Sequence, residues 1–288
     1  MTTQVIPYAK SRTPFSTRLP QVVTLLLLIA LLVLMVAPLF LVALNSFKTE
    51  AEYVQNGPMA WPENFTLENI IATWQKVDYT TKLFNSLYIS LASALLALGL
   101  SLFNAFALGI GRIRGKTFFL IFFVMAITLP NEALIYPLYY LFKTLGMYDT
   151  RLSVILTTAV LNSAFGTYLL ASVFTTFPRE LTEAALIDGA NKLQLLWRIV
   201  VPVSAPSLAV LFVFFFIWTW NEFFLPLIFL ISNSNQTVPL AIALARGERG
   251  MVITTQSAAA LLGVLPCIIF FFLFQRTLTR GVTAGAVK

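Results

Sequence analysis

The run Pro178-Arg179-Glu180-Leu181-Thr182-Glu183-Ala184-Ala185-Leu186-Ile187-Asp188-Gly189-Ala190 is polar and acidic, and it interrupts a chain that is otherwise mostly oil. Pro178 suits a helix start, where its missing N–H has no intrahelical partner to lose, and Glu180 and Glu183 put negative charge near the positive end of the helix dipole. Gly189 marks the stop, because glycine adopts the left-handed cap without a Cβ penalty. Asn191 followed by Gln194 has the capping-box spacing for a second short helix over 192–200 that ends before Pro202. The segment therefore predicts a helix-turn-helix outside a bilayer. Leu181, Ala184, Ala185 and Asp188 share one face, a slim apolar ridge edged by acids and suited to a groove on a cytoplasmic partner.

Outward from this hairpin the chain is dominated by long stretches without charge, from 152 to 178 on one side and from 199 to 221 on the other. The whole has 288 residues, 58% hydrophobic and 11% charged, where a soluble domain carries about 25% charge. Lipid has to solvate that excess. A spanning helix needs about 20 mostly apolar residues to cross a hydrocarbon core about 30 Å thick, and six stretches qualify: 20–44, 84–110, 117–142, 153–175, 207–231 and 254–274. The first is too long for a signal-peptide core and has no small-x-small cleavage site after it, so it is expected to stay as a span. The fold class is an all-α membrane protein with six transmembrane helices in one domain.

The net charge of +7 reflects topology rather than nucleic acid, because the basic residues lie beside spans. With both termini on the hairpin's side, that side holds Lys10, Arg12, Arg18, Arg112, Arg114, Lys116, Arg179, Lys192, Arg198, Arg276, Arg280 and Lys288, which is 12 of the 19 Lys and Arg. Cationic residues concentrate on the cytoplasmic side, so both termini and the hairpin are expected there. The opposite side has a long first loop, 45–82, in which Thr66 is expected to N-cap a short surface helix toward Trp74. It also has the loop 232–254, with Arg246, Gly247, Glu248, Arg249 and Gly250, read as solvated.

Several chemistries are excluded. The chain has no histidine and one cysteine, Cys267, which rules out Ser-His-Asp catalysis, the usual zinc sites and an intrachain disulfide. Gly111-Arg112-Ile113-Arg114-Gly115-Lys116-Thr117 is one residue short of a P-loop and follows a membrane helix rather than a strand. A membrane-embedded enzyme lacks any cluster of paired acids.

Two acids fall inside spans, Glu132 and Glu222, and a charge at the centre of a spanning helix costs at least about 2.5–3.5 kcal/mol unless it faces a partner or water. Glu222 lies in Trp218-Thr219-Trp220-Asn221-Glu222-Phe223, whose aromatic faces and hydrogen-bonding groups suit a route for a hydroxylated solute. Bracing of neighbouring helices is the competing role for both acids. Pro137 and Pro226, downstream of the acids, are expected to kink their helices. In the second span Ser93, Ala97, Ser101, Ala105 and Gly109 recur every four residues, which lets a neighbouring helix approach closely.

Glu183-Ala184-Ala185, then Gly189, then Ile199-Val200-Val201-Pro202 resembles the EAA loop of binding-protein-dependent ABC importer permeases, with Val201 where leucine is usual. Asn85-Ser86, Leu129-Pro130, Trp220-Asn221-Glu222-Phe223, Gln275-Arg276 and the tail from Gly281 to Lys288 extend the likeness to the carbohydrate-uptake, maltose-type second permease. The resemblance implies a type I importer fold and half of a sugar path, in a bacterial or archaeal cytoplasmic membrane. Glu183, Ala184, Ala185, Asp188 and Gly189 are then the coupling residues, and Glu222, Asn221, Trp220, Trp218 and Glu132 the pathway candidates. It also implies two ATPase subunits that carry ATP and Mg²⁺, so that this chain binds no cofactor, together with a second permease in a heterodimer and an extracytoplasmic solute-binding protein. The alternative is a secondary transporter using Glu132 and Glu222 as proton or sodium sites, for which no inverted repeat is evident.

Overall fold

A computed structural model describes residues 15–111, 113–246 and 252–286. Lys10, Arg12, Arg112, Gly247, Glu248, Arg249, Gly250, Val287 and Lys288 lie outside the described residues. All regular structure among the described residues is helical. The elements are α1 (Phe15–Ser46), α2 (Glu50–Asn56), α3 (Glu68–Lys76), α4 (Tyr79–Gly109), α5 (Lys116–Thr128), α6 (Asn131–Thr144), α7 (Arg151–Thr175), α8 (Arg179–Ile187) and α9 (Lys192–Leu195). They are followed by α10 (Val201–Asn221), α11 (Phe224–Phe229), α12 (Val238–Arg246) and α13 (Ile253–Ala286).

The small-residue face of α4 is the centre of the fold, and its partner is α7. Ser93, Ala97, Ser101 and Ala105 are fully buried. The Thr158 hydroxyl donates to Ser93 Oγ at 2.9 Å, and Ser101 Oγ donates to the Ser163 carbonyl at 3.2 Å. Gly166 on α7 faces Ser101, and a Cβ there would overlap Ser101 Oγ and the Phe215 ring. Small side chains bring the two backbones together, and hydroxyls satisfy each other where no water reaches. α10 then lays Leu211, Phe215 and Phe216 over the seam. By contrast α1 packs mainly on α13 and leaves the apolar stretch from Pro20 to Phe40 largely uncovered, burying only its end at Leu44, Asn45 and Ser46.

Two expected spans are not single straight helices. The stretch 117–142 forms α5 and α6, which meet at 94°. Pro130 has no N–H to give and holds Leu129 extended, at φ −69° and ψ 126°, so the helix cannot run through them. The stretch 207–231 divides at Glu222, which is extended at ψ 122°, into α10 and α11. In both cases the break lies upstream of the proline expected to kink the helix: Pro137 and Pro226 sit inside α6 and α11.

The fifth crossing also begins earlier than expected. Helix runs from Lys192 to Asn221 without a stop at Pro202 or Pro206. A π-helical turn over Leu196–Val200 makes this possible, with the Val201 N–H reaching back five residues to the Leu196 carbonyl. That wider turn relieves the backbone where Pro202 lacks a donor. Thirty residues extend about 45 Å, so the first turns project beyond a hydrocarbon core of about 30 Å.

The segment after α11, expected to be solvated, is strapped down instead. Lys82, fully buried, donates to Asn233 O at 2.5 Å and Asn233 Oδ1 at 2.6 Å. Asn85 donates to Ser234 O and Gln236 O, and Ser86 Oγ accepts from the Val238 N–H. Asp149 accepts from the backbone N–H and hydroxyl of Ser232. α12 then buries Val238 and Leu240. In the first loop, the N-cap of α3 is Leu67 rather than Thr66, whose hydroxyl accepts from Glu68 N at 3.1 Å.

Candidate functional site

The hairpin between α7 and α10 is closed by local hydrogen bonds. Pro178 stands at the N-cap of α8, one place earlier than a first-turn proline, and Glu180 lies in the first turn. At the other end Gly189 is left-handed at φ +81°. Its N–H bonds to the Leu186 carbonyl at 3.1 Å, and the Ala190 N–H bonds to Ala185 O at 2.9 Å. That pair of bonds is a Schellman motif, which satisfies carbonyls that a helix end leaves without partners. Asn191 Oδ1 accepts from Gln194 N, and Gln194 Oε1 accepts from Asn191 N, both at 2.9 Å, completing the capping box.

The surface of α8 departs from expectation, most clearly at Ala185. Ala185 is 6% exposed and joins the chain's own core with Leu195, Leu196 and Val200. α8 must seal against the start of the long fifth helix, and only a small side chain fits between them. Glu183, Ala184, Asp188 and Gly189 are exposed, and so are the apolar side chains of Leu181, Leu186 and Ile187, the last 85% exposed, which stand on different sides of α8 rather than along the expected face of Leu181, Ala184, Ala185 and Asp188. Apolar side chains held out on a rigidly capped helix mark a surface for a partner.

The second site lies where the two broken spans meet. A cavity of about 220 Å³ is lined by Asn131, Thr158, Leu161, Asn162, Trp218, Thr219, Glu222 and Leu225. Asn131 is the first residue of α6, Thr158 and Asn162 lie one turn apart on α7, and Trp218 and Thr219 end α10. Glu222 Oε1 accepts the backbone N–H of Phe224 at 2.9 Å and of Leu225 at 3.1 Å. One carboxylate thus caps α11 and faces the cavity. Asn162 Nδ2 reaches Thr219 Oγ1 at 3.4 Å, and the Trp218 ring meets Phe165 edge-on at 5.1 Å between centroids.

The other pathway candidates are elsewhere. Trp220 is 2% exposed and stacked on Phe216, so it is core. Asn221 is exposed and donates to the Ile217 carbonyl at 2.8 Å, outside the cavity lining. Glu132 is exposed in the first turn of α6, and its neighbour Asn131 takes the cavity position. Sequence reading missed Asn131, Thr158, Asn162 and Thr219. The available signal was the polar side chains at 158 and 162, one turn apart in an apolar span.

A membrane chain, all-helical among its described residues, with two broken helices around a polar cavity and a capped hairpin has the build of a transport component. The chain belongs to the family of binding-protein-dependent transport system inner membrane components, whose pattern matches residues 97–284. It is 32% identical over 262 residues to the inner membrane ABC transporter permease protein YcjP of Escherichia coli, covering 89% of this chain and 92% of that one. Identity is also 32% to the sulfoquinovosyl glycerol transport system permease protein SmoH of Agrobacterium fabrum, over 87% of this chain and 88% of that one. The arabinooligosaccharides transport system permease protein AraQ of Halalkalibacterium halodurans is again 32% identical, over 88% and 91%. In fold, the chain matches a bacterial ABC transporter involved in the import of the acidic polysaccharide alginate, with TM-score 0.79 and 21% identity over 94% of this chain and 99% of that one. The protein is therefore a multi-pass inner-membrane transport component. Nothing in these likenesses supports the secondary-transporter alternative.

Proposed function

We propose that this chain is a permease subunit of an ATP-driven importer of a sugar or oligosaccharide and forms half of its translocation path. The observation that carries the reading is that Leu181, Leu186 and Ile187 stand uncovered on a short helix closed at its C-terminal end by a Schellman motif, in a segment too polar to lie in lipid. Outside lipid, apolar side chains left uncovered in this way call for a partner to cover them. Sugar as the cargo is supported by the relatives SmoH and AraQ and by the hydroxyl, amide and carboxylate groups beside Trp218 in the cavity.

In this reading both termini and the hairpin face the cytoplasm, as the distribution of Lys and Arg favours. α8 docks in a cleft of a separate ATPase subunit, with Glu183 and Asp188 at its polar rim, Ala184 allowing close approach and Gly189 setting the turn. ATP and Mg²⁺ belong to a pair of such ATPase subunits, and this chain contributes no group to hydrolysis. A second, homologous permease completes the path as a heterodimer, and a solute-binding protein delivers the sugar from outside. Because helix is continuous from Lys192 to Asn221, a push on α9 moves the end of α10, where Trp218 and Thr219 line the cavity. That is rigid-body gating. Co-expression with the ATPase, partner permease and binding protein tests it: the reconstituted complex should hydrolyse ATP faster with sugar-loaded binding protein and accumulate labelled sugar. ATP-independent uptake driven by a proton or sodium gradient would overturn it.

A further inference from the structure

Two adjoining cavities on the hairpin side have no part in the reading above. One, of about 290 Å³, lies among the ends of α4 and α7 and the starts of α5 and α8, and its polar groups come from Lys116, Thr175, Arg179 and Thr182. Lys116 Nζ donates to Thr175 Oγ1 at 2.9 Å, which uses one of its three N–H groups. The other, of about 430 Å³, is a mostly apolar slot lined from α4 by Asn104 and Ala107 and from α5 by Phe118, Phe119, Phe122 and Phe123. Leu108 lines both, and no carboxylate lines either.

Their relation follows from α5. Lys116, Phe119 and Phe123 recur at spacings of three and four, so they lie on one side of the helix and ascend it by about 10 Å. A cationic, hydroxyl-lined recess thus sits at the foot of an apolar slot, and the slot lies in a segment apolar enough to enter the membrane. Polar recess below, apolar slot above and positive charge at the junction match one class of ligand, an anionic phospholipid with its phosphate on Lys116 and Arg179 and an acyl chain along the phenylalanines. Basic pockets between membrane helices on the cytoplasmic side take such head groups. A soluble partner offers the recess no chain for the slot.

We infer that this chain carries a specific site for an anionic phospholipid at the root of the α8 hairpin, formed by Lys116, Thr175, Arg179 and the phenylalanine slot of α5. The orientation proposed above enters only in naming the cytoplasmic leaflet as the source. Because Arg179 is the first residue of α8, the lipid ties the hairpin to α5.

The test is lipid retention by the purified whole transporter, exchanged into nanodiscs of mixed phosphatidylglycerol and phosphatidylcholine and read by native mass spectrometry on the mass of this chain. The unaltered chain should retain phosphatidylglycerol over phosphatidylcholine by on the order of thirtyfold, the worth of two basic contacts near a membrane surface. Lys116→Gln with Arg179→Gln should abolish the preference, Lys116→Arg should keep it, and millimolar inorganic phosphate should leave the bound lipid in place. Equal retention of the two lipids, or an unchanged preference in the double variant, overturns the site. Displacement by inorganic phosphate overturns the lipid as its occupant. If the double variant does not assemble, the preference of the unaltered chain and the phosphate arm decide. Transport is not part of the readout, so failure of the importer reading shows separately.

Discussion

The seam between α4 and α7 and the outer face of α8 use small and apolar side chains to opposite ends. Along the seam, Ser93, Ala97, Ser101 and Gly166 remove bulk so that two helices of the same chain close on each other and leave nothing exposed. On α8, Ala185 does the same inward, while Leu186 and Ile187 on the next two positions are left uncovered. The difference separates residues that make the fold from residues that the fold presents. Perturbing the first should cost the protein itself, and perturbing the second should cost only what it binds.

The largest effect is expected at the seam. Gly166→Val drives a branched side chain into Ser101 and Phe215, and overpacking of this kind costs about 1–3 kcal/mol or more. The amount of folded chain recovered from membranes should collapse, read by size-exclusion chromatography in detergent. Ile187→Asp should leave that yield unchanged, since exposed substitutions alter stability by about 0.5 kcal/mol or less. It should weaken capture of the ATPase subunit by about tenfold or more, as loss of a central apolar anchor does. If Ile187→Asp lowers the yield as Gly166→Val does, the two regions are not different in kind.

Glu222 sharpens the same contrast because it belongs to both classes, capping α11 and facing the cavity. Glu222→Ala leaves the Phe224 and Leu225 N–H groups without an acceptor, at about 1–3 kcal/mol, and should reduce uptake by about tenfold with ATPase assembly intact. Glu222→Gln keeps an amide oxygen for the cap. Full recovery of uptake in Glu222→Gln would assign the residue to capping alone, and persistent loss assigns its charge to the path.

The smallest effect is expected in the strap that follows α11. Burial works to raise the Asp149 carboxyl, but hydrogen bonds from Ser232 and Asn235 outweigh it and hold the group below the ordinary carboxylate range. A depressed folded value stabilises the strap above about pH 4, the ordinary range of a carboxyl, and that contribution is lost as pH falls through the lower folded value. Amide exchange across 231–236 should quicken modestly in Asp149→Asn at neutral pH, and in the unaltered chain only under strong acid.

Local chemistry was legible in the sequence and tertiary direction was not. Gly189 and the Asn191–Gln194 pair announced their caps because each acts within a few residues of itself. The stripe on α4 was legible because four-residue spacing survives in any long helix. Trp218 and Trp220 could not both line one cavity, since two helical positions are about 200° apart, yet only packing against Phe216 decides which turns inward. Likewise Pro130, Pro137, Pro202 and Pro226 share one chemistry. The helix breaks at Pro130, where Leu129 goes extended, and passes Pro202, where a π-helical turn absorbs the lost bond. Asn131, Asn162 and Thr219 come from three elements and meet only in the folded chain.

The most direct measurement is photo-crosslinking in membranes that contain the whole assembly, with the crosslinking amino acid placed at position 187 and, in a second chain, at position 185. Docking of the hairpin on an ATPase predicts a strong adduct to a soluble subunit from 187 and none from 185. No adduct from 187, or labelling of 187 by a membrane-impermeant reagent added outside intact cells, would contradict it.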